Sequence, residues 1–558
     1  MKKYLSHFLI LCTVAFTLHS CGSKNEEGAL IPSNSTYVSV MDLESMGKNL
    51  SWEEIKASGW YNSIKTNNEM SEWAKKVLGS PEESGINFKK NLVIFSGHSS
   101  TGKTYMAFGG TLMNQRDFDE FNKQNSNPGD IKKDGKISML SLSNNQLVGW
   151  NENNFIYLSS TNLNLPEISN SSRDSNNINS TPLNQSELMQ ECINIFNLKK
   201  DNSLAENKIF SALMKEKGDI RFYMNGEEVM KNNPVTGLGN MLNSEVFFKN
   251  NITTLAIEFE IGAIEIHQKQ YASKELMNYF KNNIGSKIDK TMIERIPAGD
   301  VMAVIALNLK PEAIQNLVKL TGADGIANMF LQQAGFSLDD VSKATDGNML
   351  FVASDAKENN TPIDSNKFKI NFNALLAMGV KDEASFKKIV NGAEKFLGED
   401  DLAKKFPITL TDKMMVVSNG PYASQYLGNQ SKTKFDFLDE IDDAPMGAYF
   451  DIQKIISLAR NSTKPSLEKD TLVAENLKMW KNIFVTGGEV KNDAVEIKVE
   501  IKLMDENAHS LKQLNSFFYT MSQLQKRMES TSATGRNLDS LLTPPAADTV
   551  RITDTPKI

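Results

Sequence analysis

Gly97-His98-Ser99-Ser100-Thr101-Gly102-Lys103-Thr104 has the residue types and spacing of a phosphate-binding loop and comes directly after the apolar run Leu92 to Ser96. In such a loop, backbone N–H groups and the dipole of the next helix cradle phosphates, Lys103 reaches the terminal groups and Thr104 holds Mg²⁺. That chemistry needs a helix starting near Gly102. The next residues, Tyr105-Met106-Ala107-Phe108-Gly109-Gly110-Thr111-Leu112, are instead β-rich and carry paired glycines costing about 1 kcal/mol each inside a helix. The spacing therefore predicts a hairpin tip at residues 99–103, and Gly97–Thr104 is read as a chance match to a nucleotide site. The same residues nearly spell a serine-hydrolase elbow, but Thr101 stands where the close strand-to-helix turn needs glycine. Ser99 as nucleophile also needs a base, and beyond residue 20 the chain has only His98, His267 and His509. His98 is the chain neighbour of Ser99, His267 falls on a polar strand face and His509 on the final helix.

Metal chemistry finds little to work with. Three scattered histidines and one thiol do not make a tetrahedral zinc site by local spacing, and no cofactor is expected. Asp130-Ile131-Lys132-Lys133-Asp134-Gly135 has the outline of a calcium loop, yet two lysines occupy it, and Asp134-Gly135 reads as a hairpin turn. Glu440, Asp442, Asp443 and Asp451 form an acidic stretch that reads as a solvated loop. Trp52, Trp60, Tyr61 and Trp73 fall close together at helical spacing, which favours the core of a small helical unit over a surface platform. Cys192 sits among Ile193, Ile195 and Phe196, the setting of a buried helix residue.

The elements that must position these residues repeat. Ile31-Pro32-Ser33-Asn34-Ser35 leads into Tyr37-Val38-Ser39-Val40, and Ile296-Pro297-Ala298-Gly299-Asp300 leads into Met302 to Leu309. Leu92 to Ser96 then parallels Met349 to Ser354, and Tyr105 to Leu112 parallels Phe372 to Val380. Near the end of each half comes a hairpin and a helix: Thr254 to Ile266 with Ser273 to Phe280, and Phe484 to Leu503 with Ala508 to Phe518. Within these hairpins Ile257 and Phe259 oppose Glu258 and Glu260, while Val495, Ile497, Val499 and Ile501 oppose Glu496, Lys498, Glu500 and Lys502. One wet face per sheet predicts an α+β fold of two related domains, each a mainly antiparallel sheet with helices packed on one face. Ser51-Trp52-Glu53-Glu54 has the pattern of a capping box.

With 558 residues, the chain is long enough for about two to four domains of roughly 150 residues. Residues 1–20 read as a signal peptide: Lys2 and Lys3 precede an apolar run, Tyr4 to Leu18, too short to span a bilayer at about 20 residues. Residues 21–30 read as a lipidated Cys21 and polar tether, because Leu18-His19-Ser20-Cys21 resembles a bacterial lipobox. Residues 31–290 and 291–528 form the two α+β repeats, the first with a flexible Asn/Ser-rich insertion at about 161–186, and 529–558 read as a disordered tail. Once residues 1–20 are removed, 59 basic side chains face 68 acidic ones, which argues against nucleic acid as a partner.

The signal, the lipobox and two halves that each open with Ile-Pro and a strand resemble the Bacteroidota lipoproteins grouped as domain of unknown function 4836. The resemblance implies the architecture and an exported location, and it implies no site residues. Acidic Glu26 and Glu27 close to Cys21 resemble the surface-export signal of such lipoproteins. These features point to a cell-envelope lipoprotein, acylated with chains such as palmitate and lying on the outer membrane at the cell surface, with the periplasmic face as the alternative. It is read as a non-enzymatic binding or scaffold protein with a glycan or protein partner. A hydrolase with its site between the halves is the alternative, and a carrier of apolar ligands a third reading.

Overall fold

A computed structural model describes residues 28–59, 61–62, 71–127, 129–160, 182–232, 245–358, 370–397, 407–419, 422–429, 434–461 and 467–541. The expected signal peptide at residues 1–20, Cys21, Trp60 and residues 161–181 of the Asn/Ser-rich insertion lie outside these.

The first-half strands are β1 (Tyr37–Met41), β2 (Leu92–His98), β3 (Thr104–Thr111), β4 (Ile131–Asp134), β5 (Ile137–Ser143), β6 (Gln146–Trp150), β7 (Asn154–Ser159), β8 (Ile220–Asn225), β9 (Ile252–Phe259) and β10 (Ala263–Tyr271). The second-half strands are β11 (Val301–Asn308), β12 (Thr345–Glu358), β13 (Ile370–Val380), β14 (Ile408–Leu410), β15 (Met414–Ser418), β16 (Met446–Asp451), β17 (Trp480–Lys491) and β18 (Ala494–Leu503). Among the described residues every ladder is antiparallel, and the strands join into one sheet. The fold is α+β.

Pairing is the same on both sides. β1 lies between β2 and β8 as β11 lies between β12 and β16. Register agrees residue by residue: Val38 faces Phe95 and Tyr223, and Val304 faces Val352 and Tyr449. β10 and β18, the last strand of each half, pair with each other from Ala263↔Lys502 to Gln270↔Val495 and close the sheet across the joint.

Helices lie on both faces of the sheet, where sequence reading places them on one. On one face Leu188, Cys192 and Ile195 of the helix Gln185–Phe196 pack with Phe210 on Val38, Phe95, Ala107 and Leu158. On the other, Trp73 and Val77 of Glu72–Gly79 and Phe118 and Phe121 of Gln115–Gln124 pack on Leu92, Val148, Trp150 and Phe155. The reason is in the strands. Leu92-Val93-Ile94-Phe95 and Phe155-Ile156 are apolar on consecutive residues, so both of their faces must be covered. The hairpins at the joint alternate Ile or Val with Glu or Lys, and there one face is polar. The second half packs likewise: Val304, Val352, Leu375 and Tyr449 meet Met292, Tyr422, Tyr426 and Ile441.

The last helix, Ser510–Leu541, runs past Glu529, where a disordered tail was expected to begin. Nothing before Pro544 and Pro545 forbids a helix, since Ser, Thr and Asn lower helix propensity without removing a backbone donor. Residues 542–558 lie outside the described residues.

Candidate functional site

Residues 99–103 are the turn between β2 and β3. Ser99 N–H donates to the Lys103 carbonyl at 2.8 Å, and Gly102 N–H to the Ser99 carbonyl at 2.9 Å. Gly102 has φ +77°, a left-handed conformation that suits glycine. A strand, not a helix, begins at Thr104, so no helix N-terminus aims its amides into this loop. Lys103 turns instead to Glu187, with Nζ 2.7 Å and 2.9 Å from its two carboxylate oxygens. Glu187 also caps its own helix, accepting from Asn184 N–H at 2.8 Å. The Lys103 ammonium, followed by that cap, holds the Glu187 carboxyl below the usual carboxylate range.

Ser99 and His98 are adjacent in the chain but make separate bonds. Ser99 Oγ lies 2.9 Å from Thr101 Oγ1, whereas the His98 ring meets Thr36 Oγ1 at 3.0 Å and Thr104 Oγ1 at 3.3 Å. Burial pushes the His98 pKa down. His267 leans on Glu265 at 3.5 Å on the polar face of β10, and His509 accepts from Leu511 N–H at 3.3 Å beside the last helix. The three histidines are thus dispersed over the fold.

Most of the remaining residues singled out by sequence sit in turns, ion pairs or the core, and Glu440 lines the cavity described below. Asp134 and Gly135 turn between β4 and β5. Asp442 pairs with Lys290 at 2.7 Å, Asp443 with Lys287 and Asp451 with Lys454 at 3.3 Å. Among the described residues no three His, Cys, Asp or Glu side chains are grouped to hold a metal ion. Trp73 is buried, its indole N–H donating to Asn122 at 2.8 Å, and Trp52 meets the edge of Tyr61. Cys192 is buried in the first core, which pushes its thiol up to about 12.

A cavity lies at the joint of the halves, where the hydrolase alternative places its site, and its lining was not foreseen from the sequence. Along β9, β10, β18 and β17 the polar face forms a floor of cross-strand charges, with Glu265 held 3.0 Å from Lys498 and Lys269 held 2.8 Å from Glu216. At the end marked by the β9–β10 turn, this floor opens into a cavity of about 620 Å³. Ile261 and Ala263 of the first half wall it on one side. On the other stand Phe437, Tyr449, Asn482, Phe484, Glu500 and Lys502 of the second. The rings are mutually packed: Phe437 stacks on Tyr449 at 4.1 Å, and Tyr449 lies 5.4 Å from Phe484. Burial, then the neighbouring Asp451, pushes the Tyr449 hydroxyl up to about 12, so it stays a neutral donor and acceptor. Lys502 places its ammonium 4.6 Å from the Phe484 ring centre and 3.5 Å from Glu440. Lys481 pairs with Glu506. The Asn482 side chain bonds to the Tyr449 hydroxyl, and its Oδ1 is buried with no hydrogen-bond partner among the described residues. The wall is mixed aromatic and charged, a surface for a polar ligand and not for a purely apolar one. The alternating Glu and Lys of the two hairpins were visible in the sequence, but their meeting required the β10–β18 ladder, which leaves no local signal.

The chain is thus an α+β protein built on one antiparallel sheet with a polar cavity at the joint of its halves. It belongs to the family described as a domain of unknown function (DUF4836), whose model matches residues 28–323, the first half and the opening of the second. No curated protein matches it. Similar solved structures include crystal form IV of TP0453 (9% identity, TM-score 0.25, 44% of this chain and 79% of that one) and form III (11%, 0.24, 49% and 87%).

Proposed function

We propose that this is an exported envelope protein, lipid-anchored at Cys21 and facing the cell surface, that binds a glycan or protein partner without chemical turnover. The observation that carries the binding role is the joint cavity, which combines aromatic walls, paired charges and an amide oxygen without a partner among the described residues. Lys481 holds the Glu506 carboxyl below the usual carboxylate range, a state suited to accepting hydrogen bonds and not to donating a proton. The anchor reading is supported by the lipobox-like Leu18-His19-Ser20-Cys21 and the polar tether behind it. Among the described residues no helix is long and apolar enough to cross a membrane.

The test uses the mature chain with Cys21→Ala, with and without Ala263→Phe to fill the cavity, incubated with washed envelope fractions. Retention that falls at least tenfold on filling supports the reading. Equal retention of both forms overturns the cavity as the binding site. Conversion of envelope polysaccharide into shorter fragments would establish the hydrolase alternative.

A further inference from the structure

The two ends of the polar floor are internal equivalents, and they differ. Tyr223, Thr254 and Lys269 face one another across β8, β9 and β10 as Tyr449, Phe484 and Glu500 do across β16, β17 and β18. Across the joint, Lys269 lies beside Glu496 at 3.8 Å, an opposite-charge contact reinforced by Glu216. At the equivalent position of the other end, Glu500 stands opposite Glu265. Like charges directly opposed on a sheet are unfavourable. Glu265 is compensated by Lys498, whereas Glu500 makes no ion pair among the described residues.

The cavity thus presents two acceptors in want of donors: the Glu500 carboxylate, which asks for a cation, and Asn482 Oδ1, which asks for a neutral N–H or O–H. Between them lies the Phe484 face, already attractive enough to an ammonium to hold that of Lys502. The Lys481–Glu506 and Lys502–Glu440 pairs at the rim can each exchange a partner for a hydroxyl, which both donates and accepts. A bare metal ion would leave most of 620 Å³ unfilled, and so would the tip of one lysine side chain.

Resting on the reading of the joint as a binding site, we infer that the cavity takes a protonated amino sugar of a glycan. Its ammonium meets Glu500, a ring hydroxyl donates to Asn482 Oδ1, and the C–H face of the sugar lies against Tyr449 and Phe484. Binding forms no covalent bond.

The experiment is calorimetric titration of the Cys21→Ala mature chain at mildly acidic pH with glucosamine hexamer, N-acetylglucosamine hexamer and hexalysine. The glucosamine hexamer should bind. N-acetylation, which removes the charge, should weaken it at least tenfold, or about 1.4 kcal/mol. Glu500→Gln should cost a similar factor, and Asn482→Leu a smaller one that persists for sugars but not for simple amines. Circular dichroism verifies that the variants fold, and Glu500→Asp, which keeps the charge, should recover part of the affinity. Equal binding of the N-acetylated hexamer, tighter binding of hexalysine, no binding of the glucosamine hexamer, or indifference to Glu500→Gln each overturns the inference. If envelope retention still depends on an unfilled cavity while glucosamine hexamer fails to compete, the joint remains the binding site and the amino sugar alone is excluded.

Discussion

Alanine at Gly149 tests how the helix Gln185–Phe196 seats on the sheet. Gly149 lies on β6 directly under Cys192, and a Cβ there would overlap the Cys192 sulfur. Replacing a strand-interior glycine removes backbone freedom from the unfolded chain and by itself stabilises by roughly 0.5–1 kcal/mol. Forcing one carbon into a filled core costs about 1–3 kcal/mol, so the net loss expected of Gly149→Ala is up to about 2.5 kcal/mol. Cys192→Ala alone removes one buried heavy atom, at about 1 kcal/mol. In the double variant the new methyl occupies the space the sulfur left. The two changes should therefore compensate, with a coupling of at least about 1 kcal/mol. Urea titration of the Cys21→Ala mature chain measures each value, and the buried Cys192 thiol, raised to about 12, supplies an independent reading as a group inert to thiol reagents until the helix lifts. Additivity within about 0.5 kcal/mol would refute the close helix–sheet contact.

Other contacts carry their own expected outcomes. Trp150 is fully buried and donates to Asp119 at 2.6 Å, so Trp150→Ala should cost about 3–5 kcal/mol by urea denaturation. Ser51→Ala removes the capping box that starts Trp52–Ala57 and should cost about 0.5–2 kcal/mol. The Ser51 N–H, aided by its hydroxyl and Lys512, pulls the Glu54 pKa to about 2. Because the folded value lies below the unfolded one, the cap's contribution is present above the ordinary carboxylate range and lost as pH falls towards 2; Glu54→Gln should flatten that part of the stability profile. Lys103→Ala should leave the protein folded and MgATP titration silent, since Lys103 serves Glu187 and the loop is a turn. Cys21→Ala should move the protein from membranes to the soluble fraction, and protease treatment of intact cells should degrade the wild type; protection would refute the surface location.

What was legible in the sequence is what local rules govern. The hairpin at 99–103 could be foreseen because β-rich residues and paired glycines come after Lys103, and the box at Ser51 to Glu54 because its spacing is its mechanism. Burial of Cys192 and Trp73 could be read from apolar neighbours at helical spacing. Helices on both faces were missed because the expectation was drawn from the alternating hairpins, while Leu92 to Phe95 and Phe155-Ile156 carry the opposite instruction in shorter runs. The lining of the joint cavity was missed for a different reason. Its walls come from Ile261, Phe437, Tyr449, Asn482 and Glu500, separated by up to 239 positions, and only strand pairing brings them together.

The charges on the joint have a structural duty. A strand pair held by backbone bonds alone can slip by one residue, and a slip turns every side chain to the opposite face. In β10 and β18 such a slip would swing Glu265, His267 and Lys269, or Glu496, Lys498 and Glu500, to the side now occupied by Ile264, Ile266, Val499 and Ile501. The alternation, broken only by Gln268 and Gln270 within this ladder, favours the register in which His267 faces Lys498 at its middle. At one of the two equivalent ends of this ladder Lys269 pairs with Glu496 and Glu216, whereas at the other Glu265 pairs with Lys498 and Glu500 makes no ion pair among the described residues. Duplication explains why the floor is charged from end to end. It does not explain why one end keeps a carboxylate without an ion pair among the described residues beside an open cavity, and the amino sugar proposed above would supply the cation.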